Sequence, residues 1–600
     1  MSGAIDAVLL AVRKAVEDAL ASASESYSGA APALRLVTAL AEGTDRIAAS
    51  AALKLGYELQ AILPFERQEY ARDFGAPGES VAVLNSLASF EQLLASPQTT
   101  AILELDGVLL LAHAADIGTA DLVRGAAELN SAHINVADAT SPYEALGEVL
   151  VRQCDLLLAV WDGERGRGPG GTANIIRDAR ARGLPVIIID SNAPARISFI
   201  SNGMERPYAE EELREVLFAL LHPPRGLGSV PLSTYLSERQ PGWNLRGKRL
   251  PVIGSRSLLN WVWPAFRTIL APSKRRASRL AAASVPKGAT DAEPETGARA
   301  NSLLQPHFAW ADSLATYYGD RYRSAFVVIY GLGVVTVALG VVGLSHGSAV
   351  HLGRLDLRLW VTLSLLMVIV GIWYVGGFVK HWHRRWLDYR ILAEYLRQIG
   401  YLAPLGSISP HVRTPPHRSS GDPGNSWMAW QARAITRELG LTSACFDITF
   451  LEAAQTAMCR AWLDSQASYH RETARRSQRM EHLLHWAGLA LFAVAFVTTA
   501  GAIYRELEVF TAVEAIFPAF GSALAAIRGQ AELERLARRS EGIAEWLEEM
   551  SEKLALFNPH PGTSASHALR VTAESAANVM LDEVLDWRVV LEIRPLELPA

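Results

Sequence analysis

The chain has 600 residues, half of them hydrophobic and a fifth charged, with 15 tryptophans and a formal net charge of −5. That length exceeds what one core can organise and points to roughly three or four folding units, while the apolar excess points to membrane segments beside globular cores. The near charge balance gives no electrostatic case for direct nucleic-acid binding, and the scattered Cys154, Cys445 and Cys459 form neither a metal pattern nor a disulfide framework.

Residues 1–30 read as an alanine-rich amphipathic helix with Arg13, Lys14, Glu17 and Asp18, not as a signal peptide, so the first domain is expected in the cytoplasm. Apolar strands at 34–38, 57–63, 101–104 and 134–136 alternate with helical stretches ending at Leu55 and spanning 80–94 and 119–129. Alternation of this kind predicts a mostly parallel, doubly wound sheet whose ligands bind beyond the carboxyl ends of its strands. The turn Glu42-Gly43-Thr44-Asp45 follows the first strand.

A second strand, turn and helix occupy residues 154–190. Residues 156–161 have the bulk of a strand buried on both faces. Gly163, Gly166, Gly168, Gly170 and Gly171 then crowd around Pro169, which rules out a helix there. Thr172 is placed to cap a helix over 173–182, Gly183-Leu184-Pro185 stops it, and residues 186–189 form the next strand. Glycines let the backbone approach a phosphate, and the helix start supplies N–H donors and partial positive charge, so this βαβ unit has the shape of an anion seat. The alternative is a tight crossover that binds nothing. Both turns follow strands and are expected on one edge.

Residues 39–74 (ALAEGTDRIAASAALKLGYELQAILPFERQEYARDF) and 159–190 (AVWDGERGRGPGGTANIIRDARARGLPVIIID) together resemble the SLOG superfamily. This is the Rossmann-like group of LOG nucleotide phosphoribohydrolases, DprA-type proteins and the nucleotide-sensing domains of TRPM channels and bacterial conflict systems. The resemblance covers residues 1–222. It implies that Glu42, Gly43, Asp45, Asp162, Gly163, Gly168, Gly170, Gly171 and Thr172 line a nucleotide-derived ligand, ADP-ribose-like or cyclic. LOG hydrolases carry a catalytic glutamate three positions after the motif threonine, where this chain has Ile175, so no catalytic residue is expected. Relatives also begin with a strand and a Gly-His-Arg-like turn, whereas this sequence starts at the helix after them.

Residues 223–300 read as a linker with prolines, a basic run at 274–279 and a Trp261/Trp263 cluster that suits either a membrane-surface helix or buried packing. Apolar stretches follow at 325–344, 359–379, 486–504 and 509–527, each long enough for a ~30 Å hydrocarbon core, the last interrupted by Glu514 and Pro518. They divide the rest into a first hairpin within 301–482 and a second within 483–600, about four transmembrane helices in an all-α domain. Arg321, Arg323, Lys380, Arg384, Arg475, Arg476 and Arg528 gather at one set of ends against Arg354, Arg358 and Arg505 at the other, which predicts a multi-pass inner-membrane protein with both termini cytoplasmic.

The charged helices at 308–326, 383–397, 461–480 and 517–550 resemble the SLATT membrane effectors associated with SLOG genes. Within the second, Trp386, Arg390 and Glu394 share one helical face; Arg390 and Glu394 are spaced to pair, either on a solvated helix or within a bundle that couples sensor to spans. Glu514 is a candidate pore-lining or snorkelling carboxylate. His381 and His383 flank Trp382 as interfacial anchors, with no third ligand for a metal. The expectation is a bacterial membrane receptor-effector, homo-oligomeric, in which a nucleotide ligand gates a pore-forming or membrane-disrupting domain in anti-phage defence. Two other readings compete with it: a membrane-anchored LOG-like N-glycosidase, and a structural membrane protein with a vestigial α/β domain.

Overall fold

The computed structural model describes residues 1–23, 26, 32–74, 81–107, 141–164, 170–224, 230–238, 258–272, 294–345, 351–352, 355–407, 426–502, 508–557 and 565–592. The expected helix at 119–129, the strand at 134–136, Gly166, Gly168, Pro169 and the basic run at 274–279 lie outside them.

The α/β unit comprises α1 (Ser2–Ala23), β1 (Arg35–Thr38), α2 (Thr44–Lys54), β2 (Glu58–Leu63), α3 (Val81–Leu94), β3 (Thr99–Glu104), α4 (Pro142–Gln153), β4 (Leu157–Trp161), α5 (Thr172–Ala181), β5 (Val186–Asp190), β6 (Ile197–Ser201), β7 (Met204–Pro207) and α6 (Glu210–Leu221). Its strands form two sheets rather than one. β1, β2 and β3 are parallel neighbours, as are β4 and β5, while β6 and β7 add antiparallel to β5. Helices α1 and α6 cover β1, β4 and β5 together through Ile5, Val8, Leu36, Leu158, Ile187, Phe199 and Leu213. The β4 strand, expected to be buried on both faces, is only half-buried along most of its length; β5 is the fully buried one.

Alternation along β2 shows how the first sheet is shared. Leu59, Ala61 and Leu63 pack toward α2 and α3, while Ile62 joins Leu103, Val149, Leu402, Phe446, Trp462 and Leu569, which belong mostly to the helical part of the chain. A short strand from that part, β8 (Ala444–Cys445), then pairs in parallel with β3 as the edge of the sheet. The sheet is therefore not closed within residues 1–222.

The helical part contains α7 (Val262–Leu270), α8 (Pro294–Ser345), α9 (Leu357–Tyr374), α10 (Trp382–Leu402), α11 (Trp427–Leu439), then after β8 α12 (Asp464–Ala502), α13 (Glu508–Gln530), α14 (Leu533–Ala555) and α15 (Ala565–Glu592). Among the described residues three helices are long and apolar enough to cross a membrane, Ser302–Val341, Leu359–Val379 and Ile448–Gly501. Their apolar side chains face outward: Met367, Phe496 and Val497 are 74%, 76% and 67% exposed. Such a belt is costly in water and expected in lipid. The fourth stretch, expected as a further span, forms α13, which is not among those three; it packs against α8 and α12 and carries Glu514 and Pro518 within it.

The two halves of this region repeat one layout. In each, a long helix (α8 or α12) leads into a hairpin return (α9 or α13). The chain then passes through a non-glycine residue in the left-handed region, His381 at φ 47° or Glu532 at φ 50°, and a further helix (α10 or α14) packs back along the first. Contacts run antiparallel in both: Trp386 with Gly319 and Arg390 with Asp312 in one half, Gln478 with Glu541 and Arg471 with Glu548 in the other.

Candidate functional site

The carboxyl edge of the first sheet is organised by the start of α4. The Phe65 ring, just past β2, meets Tyr143 edge-on at 5.7 Å between centroids. Gly107, just past β3, lies so close to the Pro64 carbonyl oxygen, Phe65 and Pro142 that an added Cβ would stand 2.3 Å from that oxygen. Gly170, on the second turn, packs against the α4 backbone, where a Cβ would stand 2.4 Å from the Tyr143 carbonyl carbon. Gly170 also has φ +81°, so glycine is required twice over. The ends of β2 and β3 and the glycine turn before α5 thus converge on one helix start.

The first turn is pinned from within. Leu40 is fully buried in the left-handed region at φ 55°, a conformation that costs a non-glycine residue about 1–3 kcal/mol and recurs at functional sites. Thr38 holds the turn, its Oγ1 accepting from the Leu40 N–H at 3.2 Å and donating to Asp45 Oδ2 at 3.2 Å. Burial raises the Asp45 pKa, partly offset by Thr38 and backbone donors, so this carboxyl supports the turn from inside. Glu42 and Gly43 are exposed, and Gly43 has φ +99° with open space around its Cα.

Sequence reasoning missed Arg46. It is 6% exposed, lies over the Phe74 ring at 4.0 Å, and donates from Nε to the Leu40 carbonyl at 3.0 Å and from Nη1 to the Ser86 carbonyl at 2.7 Å. Its Nη2 has no partner among the described residues. An arginine one position after Asp45 in the turn motif was the available signal.

On the second turn Asp162 and Gly163 are exposed; Asp162 Oδ1 accepts from the Glu164 N–H at 3.0 Å, and Gly163 has φ +82°. Thr172 does not cap α5. Gly171 is the N-cap residue, its carbonyl accepting from Asn174 N at 2.8 Å, and Thr172 is the first, exposed helical residue. Gly171 has no side chain to accept from the first turn of α5, whose N-terminal end carries the positive end of the helix dipole. Ile175 packs toward Gly147 on α4, where a Cβ would sit 3.0 Å from Ile175 Cγ1. The residue standing at the hydrolase glutamate position therefore serves the α4–α5 contact.

The far side of α4 is ion-paired to α15. Arg152 meets Glu574 (Nε–Oε1 2.6 Å) and Glu148 (Nη1–Oε2 3.1 Å), and the fully buried Arg570 lies 3.5 Å from Glu148. Asp106, past β3, accepts from the Ser566 N–H at 2.9 Å and from the Ser566 hydroxyl at the start of α15. Burial alone would raise Glu148, but His567, Arg152 and Arg570 outweigh it and bring the carboxyl down to about 2.

α15 packs along α10, where Gln398 Nε2 reaches Met580 Sδ at 3.7 Å. From Leu387 to Leu402 every residue of α10 except Arg390 is buried, so the solvated-helix alternative is corrected: this is the centre of the bundle. Arg390 pairs with Glu394 (2.6 Å) and Asp312 (3.3 Å), and Arg397 pairs with Glu394 (2.8 Å). Glu394 is 4% exposed; burial would raise its pKa, but Arg390, Arg397 and His470 lower it further. Trp386 seats on Gly319 of α8, with Arg323 over its ring at 4.4 Å. Trp386, Arg390 and Glu394 do share a face, as the spacing predicts, and that face is turned to α8.

A further tie follows the α/β unit. The Val230 N–H donates to Asp388 Oδ2 at 2.8 Å, and Glu238 accepts from Arg385 Nη1 (2.6 Å), Tyr389 (2.9 Å) and Tyr318 (3.0 Å). Glu514 is half-buried on α13, its Oε1 buried with no partner among the described residues. His381 Nδ1 lies 3.0 Å from the Gly377 carbonyl and His383 stacks on Tyr322 at 4.5 Å; among the described residues no cluster could hold a metal ion. Comparison with protein-family models, curated proteins and solved structures finds no match to this chain.

Proposed function

We propose that this chain is a membrane-bound receptor-effector. A phosphate-bearing, nucleotide-derived ligand of ADP-ribose-like or cyclic type binds at the carboxyl edge between the Glu42–Asp45 turn and the Asp162–Thr172 turn, and its occupancy biases the membrane helices. The start of α5 beside Gly171, which has no capping side chain of its own, supplies partial positive charge for the phosphate. The observation that carries the reading is the path of α4: its start touches Gly170, and its outer face is ion-paired to α15, which packs on α10, the helix that follows the α9 span. For gating, the ligand must bind one bundle state better than the other, and a tenfold preference shifts the balance by about 1.4 kcal/mol. By resemblance the setting is anti-phage defence, with a homo-oligomeric assembly perturbing the bacterial inner membrane. The glycosidase alternative is disfavoured because Ile175 is apolar and engaged with α4.

The test is a thermal-shift panel of ADP-ribose-type and cyclic nucleotides on the full chain in detergent, where ligand at 100 times its Kd stabilises by about 2.7 kcal/mol. Release of free base would favour the glycosidase, and no shift with any nucleotide would overturn the receptor.

A further inference from the structure

Helix α7 bridges the two long helices, meeting α8 just past its last charge and α12 within its last charged turns. At its start the Trp263 N–H donates to Ser324 Oγ at 2.9 Å, and the buried Trp263 ring meets Phe326 edge-on at 5.8 Å. Its end is tied to α12, where Arg476 Nε donates to the Ala271 carbonyl at 3.0 Å. On α8 the last charge before the apolar run is Arg323; on α12 it is Glu481. Trp261 and Ile269 point away from this packing, 54% and 79% exposed.

Two observations say what covers that edge. It adjoins the outward-facing apolar belt of the spans, continuing through the exposed Trp486 on α12. Exposed cations ring the same level: Lys380 and Arg384 around the α9–α10 junction, and Arg475 and Arg479 on either side of the Arg476 that holds α7. An aromatic and aliphatic edge among cations at the end of a span matches a headgroup layer, where tryptophan sits well and each cation contributes about 1 kcal/mol of attraction to an anionic surface. We propose that α7 is an interfacial anchor whose Trp261–Ile269 edge lies in an anionic phospholipid headgroup layer, on the side of the membrane that carries the α/β unit.

Site-specific photocrosslinking of the full chain in vesicles of phosphatidylcholine and phosphatidylglycerol tests this. p-Benzoylphenylalanine at exposed position 269 is expected to give a lipid adduct in which phosphatidylglycerol is enriched about fivefold over its mole fraction. The same group at position 496 on the span is the positive control, and at position 10 on α1, also exposed, the negative one. Crosslinks at 269 only within the chain, while 496 labels lipid, would overturn the anchor; lipid adducts without phosphatidylglycerol enrichment would overturn the anionic assignment.

Discussion

Replacing Thr172 with glutamate separates the two properties of the α5 start. Thr172 is the exposed first helical residue and the cap residue, Gly171, has no side chain to bond the first turn, so a carboxylate there faces the positive end of the helix dipole. That placement stabilises a helix by about 0.3–1 kcal/mol. A ligand phosphate at the same helix start would meet the new carboxylate at ~4 Å, where like charges cost about 1 kcal/mol in water and about 4 at an effective dielectric of 20. Affinity should fall at least about fivefold while the unliganded protein melts no lower than its parent. Thermal unfolding of both forms, with and without the nucleotide that stabilises the parent, reads the two effects together. An unchanged ligand shift would refute the phosphate seat, and a lower unliganded melting temperature would refute the assigned helix start. Substituting Gly170 would not separate these effects, because a Cβ there collides with the α4 backbone whatever the ligand.

Glu394→Gln leaves the buried Arg397 without its anion and the half-buried Arg390 with Asp312 alone, and should cost about 3–5 kcal/mol, measured by chemical unfolding in detergent; a loss under 1 kcal/mol would place the network in solvent. Gly319→Val drives a branched side chain into Trp386, already 2.9 Å from a built Cβ, and should weaken the α8–α10 contact, seen as faster hydrogen exchange along α10. Because Glu148 is depressed to about 2 when folded, its contribution is complete above the ordinary carboxylate range and lost as pH falls from about 4.3 toward 2. Glu148→Gln should flatten the acid limb of a stability-pH profile over that window. Glu514→Gln should leave stability unchanged or raised, since Oε1 has no partner to lose, while lowering cation flux from proteoliposomes if the bundle conducts along α13.

Periodicity made the local elements readable. The strands at 34–38, 57–63, 101–104 and 156–161 and the 359–379 span appear as β1 to β4 and a membrane-length helix, because short β-branched and aliphatic runs between turn residues admit little else. The capping residue at α5 was misassigned by one position: threonine is a good cap, but Gly170 must take φ +81° to fit under α4, and this sets Gly171 at the cap. The Arg152–Glu574 pair was not legible, since two residues 422 apart leave no spacing to find.

By itself the sequence determined the strands at 34–38, 57–63, 101–104, 156–161 and 186–189, that long apolar helices are present, and that Trp386, Arg390 and Glu394 share a face, all consequences of spacing along one segment. Only the tertiary structure decided that residues 444–445 finish the sheet begun at 35–38, that α10 is buried rather than solvated, and that α4 stands between the glycine turn and the bundle. The physical reason is that backbone geometry and hydrophobic period act over a few residues, whereas burial and charge pairing depend on which distant surfaces meet.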